Sequence, residues 1–109
     1  MRSVGAVLLS WSLLAAGPAG ASADGGEAEL GRAFAEAECS ACHAIGEAGD
    51  SPLKQAPPFH EIVTFYPPES LAEALAEGIV TGHPGMPQFE LEPDQIGDFI
   101  AYLETLVKR

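Results

Sequence analysis

Residues 39–43 read CSACH, and this stretch contains the only two cysteines of the 109-residue chain. The cysteines are three positions apart, and His43 follows the second directly. A disulfide between residues this close closes almost no loop, so it would constrain the unfolded chain very little. The close spacing of the two cysteines is therefore explained by their chemistry and not by a disulfide that cross-links the fold. The rest of the sequence decides between a redox pair, a metal site and a larger cofactor.

The N-terminal residues 1–23 are expected to be a signal peptide that is cleaved. Arg2 supplies a positive charge, residues 4–16 (VGAVLLSWSLLAA) form an uncharged apolar run, and residues 21–23 (ASA) match the small-x-small pattern of a signal peptidase site. The run is shorter than the ~20 residues that a membrane-spanning helix needs, although an uncleaved anchor is the alternative. We expect residues 24–109 to be a soluble periplasmic domain without membrane insertion.

The expected mature chain is strongly acidic. The whole chain has 16 acidic and 5 basic residues, and loss of Arg2 with the leader changes the formal net charge from −11 to −12. Nucleic acids and anionic membrane surfaces repel such a chain, so neither is an expected partner. The remaining 109 − 23 = 86 residues suffice for one small domain, whose core needs support beyond its own apolar side chains.

Hydrophobic periodicity predicts three main helices and no strand. The first helix runs into the cysteine motif, and the second is expected to begin at Ser70, which forms a capping-box pattern with Glu73, and to end at Gly78. The last begins with Pro93 and is closed by basic residues 108–109. Residues 46–59 are expected to form an ordered loop. The apolar stripe of the first helix consists of Leu30, Ala33, Phe34 and Ala37, and that of the last of Ile96, Phe99, Ile100, Leu103 and Leu106.

Three kinds of chemistry could use the cysteine motif. A thioredoxin-like redox pair needs a βαβ setting, and the sequence predicts no strands. A zinc site needs four ligands, which the motif and a distant His60 or His83 could nominally supply. However, the adjacent Cys42 and His43 project in different directions, which suits one tetrahedral ion poorly. C-x-x-C-H is the attachment signature of c-type haem, in which both thiols of a helical turn reach one porphyrin and the histidine lies beneath the iron. We therefore interpret the motif as a haem-attachment site.

Whether a protein ligand occupies the sixth coordination position of the iron distinguishes an electron carrier from an enzyme. The candidate ligands are Met86, His83 and His60, besides an open position. Met86 is favoured because it lies between a glycine and a proline, in a turn-like segment that can hold a weak thioether ligand. His83 is its rival, because imidazole binds iron more strongly than a thioether does.

Four segments, "GRAFAEAECSACHAIG", "APPF", "GHPGMPQF" and "PDQIGDFIAYL", occur in this order along the chain. Together they resemble the small bacterial class I c-type cytochromes over essentially all of residues 24–109. The resemblance implies an all-α cytochrome c fold, with three main helices and ordered loops wrapped around one covalent haem c. It also implies that Cys39 and Cys42 carry the haem, that His43 and Met86 are its axial ligands, and that the Pro57 carbonyl accepts the Nδ1–H of His43.

The resemblance also matches Gly31 and Tyr102 to the family's contact between the first and last helices. The chain departs from the pattern of the family in two respects. The aromatic residue usually found four positions after that glycine is Ala35 here, with Phe34 one position earlier, which leaves the partner of Tyr102 open. The chain also lacks the lysine ring of mitochondrial-type relatives, so their docking partners cannot be transferred.

These observations lead to one expected function and two rivals. We expect a monomeric one-electron carrier, not an enzyme, whose redox protein partners present a basic docking surface to this acidic chain. The alternative is a haem peroxidase or a small-ligand sensor, in which Met86 is labile and the iron is accessible. A zinc-stabilised interaction module is the third interpretation.

Overall fold

The computed structural model of the protein describes residues 26–78 and 85–108, together with residues 3, 5–8, 10 and 12 of the N-terminal segment. These residues form four α-helices and one 3₁₀ turn, and no strand is found among them. The all-α class predicted from the sequence is confirmed. None of the helices described is long and apolar enough to cross a membrane. The elements are α1 (Ala28–Glu38), α2 (Phe59–Phe65), the 3₁₀ turn (Pro68–Leu71), α3 (Ala72–Glu77) and α4 (Pro93–Thr105).

Helices α1 and α4 pack with their backbones in direct contact. A Cβ atom on Gly31 would lie 2.0 Å from the carbonyl oxygen of Asp98 and 2.8 Å from the Cβ of Tyr102. A Cβ on Gly26 would lie 2.1 Å from the Gly97 carbonyl oxygen. The contact between Gly31 and Tyr102 that the family resemblance implied is therefore present. Only glycine permits this approach, because any other residue would place a side chain inside α4.

The face that α1 turns to the core differs from the predicted stripe. Gly31 and Ala35 are buried and Phe34 is half-buried, whereas Leu30 is 53% exposed. The two other predicted positions, Ala33 and Ala37, are also exposed. The reason is that the close crossing with α4 selects the smallest residues at i and i+4, and this selection overrides the larger apolar side chains of the stripe.

Helix α2 was missed in the sequence, which predicted a loop up to Phe59. It is short and contains the β-branched run Ile62, Val63 and Thr64, which disfavours a helix locally. Packing stabilises it instead, because Phe59 and Val63 are buried on one face, four residues apart. Pro58 provides its N-terminus, where the carbonyl accepts the Ile62 N–H at 3.0 Å.

The helix predicted to begin at Ser70 begins earlier and in a tighter form. The 3₁₀ turn starts at Pro68, Ser70 lies inside it, and its N–H donates to the Pro67 carbonyl at 2.9 Å. The predicted Ser70–Glu73 capping box is therefore wrong, because a proline at the first helical position fixes the start two residues upstream. The end at Gly78 is confirmed, with φ of 88° where a side chain would be strained.

Helix α4 begins with Pro93, as predicted. Its N-cap is Glu92, which exchanges hydrogen bonds with Gln95 in a capping box; the Glu92 N–H donates to Gln95 Oε1 at 3.0 Å. The helix ends at Thr105, and no basic residue lies in its last turn. The expectation that Lys108 closes this helix is therefore wrong, because the residue lies beyond its end; Arg109 lies outside the described residues.

The core lies between α4 and the other elements and is rich in aromatic rings. Phe99 of α4 contacts Phe34 of α1 and Phe59 of α2 edge to face, with ring centroids 5.6 Å and 5.9 Å apart. Such pairs add about 0.5–1.5 kcal/mol to the burial of the rings themselves. The buried cluster consists of Ala35, Phe59, Val63, Leu75, Leu91, Phe99, Tyr102, Leu103 and Leu106.

The helix crossing leads to a test with a matched control. We expect Gly31→Ala to lower the free energy of unfolding by roughly 2–3 kcal/mol, because the added methyl group must push the backbone of α4 away. Gly46→Ala should change it by less than about 0.5 kcal/mol, since a Cβ on Gly46 meets nothing within 4 Å. Denaturant unfolding of both variants measures the difference. Equal stabilities would contradict the direct backbone contact.

Candidate functional site

The cysteine motif forms a single turn that follows α1 directly. Cys39 is the C-cap of α1, and its N–H donates to the Ala35 carbonyl at 2.9 Å. The Cys39 carbonyl in turn accepts the N–H groups of Cys42, at 3.2 Å, and of His43, at 2.9 Å. These i+3 and i+4 bonds form the helical turn that the spacing predicted. The structure thus brings both thiols and the imidazole together on one short, hydrogen-bonded segment.

The His43 ring is fixed by a main-chain carbonyl of the following loop. Its Nδ1 lies 2.7 Å from the carbonyl oxygen of Pro57. A carbonyl oxygen can only accept, so Nδ1 carries a proton, and in the neutral ring Nε2 is then the nitrogen with the lone pair. The half-buried ring also packs against Phe59, with centroids 5.3 Å apart. No hydrogen bond to Nε2 occurs within the described part of the chain, so this nitrogen is free to bind a metal.

The chain that follows the turn is hydrogen-bonded at successive residues. Ala44 donates its N–H to Ser51 Oγ at 3.0 Å, and its carbonyl accepts the N–H of Phe59 at 2.9 Å. The Cys42 carbonyl accepts the N–H of Leu53 at 3.1 Å. These three bonds fold residues 51–59 back onto the motif. As a result, the Pro57 carbonyl is held where the imidazole can reach it.

Tyr102 of α4 completes the support from the opposite side. Its hydroxyl donates to the Ile45 carbonyl at 2.5 Å, across 57 positions of sequence. Burial of the Tyr102 hydroxyl raises its pKa; the charge of Arg32 opposes this rise, and the charges of Glu36 and Glu47 add to it. The hydroxyl therefore stays protonated and remains a donor. Its partner, which the sequence left open, is the backbone two residues after His43 rather than an aromatic residue of α1.

The two cysteines are free, half-buried thiols. Burial raises the pKa of Cys39 to about 11, and the charge of Glu38 and the neighbouring Cys42 contribute in the same direction. Redox-active and metal-binding thiols have the opposite property, a lowered pKa that favours the thiolate. Among the described residues, no group of three or more His, Cys, Asp or Glu side chains could hold a metal ion. The raised pKa of Cys39 counts against the redox-pair interpretation.

The segment that contains Met86 leads into α4. Met86 is half-buried, and residues 85–92 have no regular secondary structure. Two contacts anchor this segment: Leu91 donates its N–H to the Leu75 carbonyl at 3.1 Å, and the Phe89 ring meets Phe34 edge to face at 6.3 Å. No hydrogen bond joins the Met86 sulfur to the described residues. Its role as sixth ligand stays a prediction.

Of the two histidines that could be the sixth ligand, only His60 lies within the described residues. His83 lies outside the described residues. His60 is on α2, and its Nε2 donates to the Gly49 carbonyl at 2.8 Å. That bond joins α2 to the loop after the motif, which gives His60 a structural contact of its own.

A family model for cytochrome c matches residues 28–107. The chain belongs to the cytochrome c family. Membership agrees with the fold, because the match extends from the start of α1 to just beyond α4. Searches of curated proteins and of solved structures gave no match. Cytochrome c proteins bind haem covalently and typically carry electrons, although some members are enzymes.

The residues of this cytochrome fit a covalent haem c. The two thiols are unpaired and lie on one turn, as attachment to one porphyrin requires. The His43 tautomer presents an unprotonated Nε2, as iron ligation requires. The aromatic cluster of Phe34, Phe59 and Phe99 meets this turn through Phe59, and supplies an apolar environment.

Two contacts of the site were not predicted from the sequence. The first is the Phe59 ring against His43, and the second is the Tyr102 hydroxyl on Ile45. The double proline of "APPF" was a signal for the first, because a proline pair directly before an aromatic residue can begin a helix and fix that residue's position. Nothing in the local sequence indicates the second, since its two residues lie in distant segments.

The Tyr102 contact can be tested with its own internal control. We expect Tyr102→Phe to lower the free energy of unfolding by about 1–2 kcal/mol, because the Ile45 carbonyl loses its donor. Tyr66→Phe should have no measurable effect, because the Tyr66 side chain is 57% exposed. Denaturant unfolding of the haem-loaded variants measures both. Equal losses in the two variants would show that the Tyr102 hydroxyl contributes nothing specific.

Proposed function

We propose that this cytochrome c is an exported carrier of single electrons, with His43 and Met86 as the axial ligands of one haem c. The observation that carries the proposal is the hydrogen bond from His43 Nδ1 to the Pro57 carbonyl. It fixes the tautomer and the plane of the imidazole, and a hydrogen-bonded imidazole is also a more basic ligand. An electron carrier needs such a rigid ligand, because little must then rearrange when the charge of the centre changes.

Each residue has a distinct task in this proposal. Cys39 and Cys42 would hold the haem through two thioether bonds. His43, which the turn and the Pro57 carbonyl orient, would be one ligand of its iron. Met86 would supply the second, a soft and neutral ligand that favours the reduced form. When bound, haem c supplies the one-electron couple of its iron, and the protein supplies orientation and an apolar environment.

The location and partners of the carrier are part of the same proposal. We infer export to the periplasm from residues 1–23, which have the pattern of a cleaved signal peptide. We infer that the carrier is a monomer. We also infer that it docks on redox proteins with a basic surface, because the mature chain has 4 basic and 16 acidic residues. Of the acidic side chains described, all but Asp98 and Glu104 are exposed, so their field reaches the solvent.

An absorption spectrum of the purified protein tests the proposed function. Narrow ferrous cytochrome bands and a methionine–iron charge-transfer band are expected, and denaturation should leave the haem on the chain. Cys39→Ser/Cys42→Ser is the control, which should lack covalent haem. A high-spin spectrum would instead support the peroxidase or sensor alternative. A colourless protein from cells that mature c-type cytochromes would refute both.

Met86→Ala tests the sixth ligand. We expect the variant to keep its covalent haem, to lose the methionine–iron band and to have a reduction potential lower by on the order of 0.1 V, within the ~0.8 V that axial ligands span. Potentiometric titration measures the shift. His83→Ala is the comparison, because it should leave both properties unchanged. If His83→Ala shifted the potential and Met86→Ala did not, the ligand would be His83.

The charge of the carrier should appear in its electron-transfer rates. We expect reduction by a cationic metal complex to slow as salt increases, and reduction by an anionic complex of similar potential to accelerate. The reason is that electrostatic steering changes association rates by ~10–10³ and is screened by salt. Stopped-flow measurements over a salt series test this. Rates that do not change with salt for both reagents would show that the acidic residues serve solubility and not docking.

A further inference from the structure

The aromatic residues of this cytochrome divide into a buried set and an exposed pair. Apart from Trp11 of the leader, the chain has five phenylalanines and two tyrosines. Five of these seven rings belong to the core or pack against it: Phe34, Phe59, Phe89, Phe99 and Tyr102. The remaining two are neighbours at the end of α2, where Phe65 is 75% exposed and Tyr66 57% exposed. A single exposed aromatic residue is ordinary, but two adjacent ones form an apolar patch.

Helix geometry shows that Phe65 faces away from both the core and the candidate haem site. Phe59 and Val63 are the buried residues of α2, and Phe59 also contacts His43. Successive residues of a helix are rotated by about 100°, so Phe65 points roughly 140° away from the mean direction of those two side chains. The site and the core are therefore on one side of α2, and Phe65 is on the other.

A hydrogen bond and two prolines restrict the backbone around the exposed pair. The Tyr66 N–H donates to the Ile62 carbonyl at 3.0 Å, and Tyr66 has an extended conformation with φ of −129° and ψ of 123°. Pro67 and Pro68 follow, the second of them buried. A proline restricts both its own φ and the residue before it. Ordering these rings on a partner would therefore cost little backbone entropy, which is a property of docking surfaces.

Unpaired acidic side chains flank the patch. Glu61 precedes Phe65 by four positions, so the two lie on the same face of α2. Glu69 follows Tyr66 by three positions, in the 3₁₀ turn. Both are exposed, and within the described part of the chain the only ion pair is between Arg32 and Glu36. The patch thus has an apolar centre and a negative border without compensating bases.

We propose that Phe65, Tyr66 and Pro67, with Glu61 and Glu69, form a docking surface for a partner protein whose contact face is an apolar pocket bordered by Lys and Arg. Charge complementarity selects this occupant. A second copy would bring two chains of net charge −11 or below together at their acidic borders. An anionic lipid surface would repel the same carboxylates. Because Phe65 lies on the side of α2 opposite the Phe59 ring that contacts His43, a partner bound to Phe65 leaves the His43 side of this helix accessible.

The test uses the haem-loaded protein, labelled for NMR, and two synthetic peptides of equal positive charge. The probe peptide is a helix of leucine and lysine with leucine on one face, and in the comparison peptide serine replaces leucine. We expect the probe peptide to shift the resonances of residues 61–69. Phe65→Ser should weaken its binding roughly tenfold, because it removes the largest apolar contact of the surface. Binding of the comparison peptide should be weak and independent of Phe65.

Leu30→Ser is the matched control, because Leu30 is 53% exposed on α1 and lies beside Glu29. It should change the affinity of the probe peptide less than about twofold. Both variants should keep the haem spectrum and the reduction potential. A negative result for peptide binding would therefore count against the docking surface and not against the proposed electron-carrier function. Equal effects of the two substitutions, or shifts centred outside residues 61–69, would overturn the proposal. So would self-association of the wild-type protein that Phe65→Ser abolishes.

Discussion

The direct contact between the backbones of α1 and α4 is the constraint on which the rest of the structure depends. It fixes the direction in which α1 ends, and the cysteine turn begins at that end. It also brings Tyr102 to the segment after His43, where the hydroxyl holds the Ile45 carbonyl. At the other end of α1, the Asp98 carboxylate of α4 accepts the Glu27 N–H at 2.9 Å, which satisfies one free donor of the helix N-terminus and complements its dipole.

The candidate site is built mainly from main-chain groups rather than from a constellation of side chains. The Cys39 carbonyl closes the turn, the Cys42 and Ala44 carbonyls hold the loop, and the Pro57 carbonyl orients the imidazole. Such groups carry no net charge and do not titrate. A site of this kind suits a centre whose chemistry comes from a bound cofactor, because the main task of the protein is then to hold one ligand geometry.

The parts of the molecule that the sequence predicted are those with local signals. The cysteine motif, the start of α4 at Pro93 and the stop at Gly78 each depend on residues within one turn of each other. Other features could not be predicted in this way, because they depend on contacts between distant segments. Helix α2 forms against the core despite unfavourable local propensities. The buried face of α1 is likewise set by the crossing with α4, and its own apolar stripe does not determine it.

The hydrogen bond between His43 and Pro57 has a consequence for how this protein can vary. Its acceptor is a main-chain oxygen, so replacing the Pro57 side chain does not remove it. The position of that oxygen is encoded instead by the residues that shape the loop, above all Ser51, which bonds Ala44, and Phe59, whose N–H bonds the same residue. The orientation of the imidazole thus depends on residues that form no hydrogen bond with the ring. Substitutions at those positions would change the orientation of His43 even if every residue of the cysteine motif stayed the same.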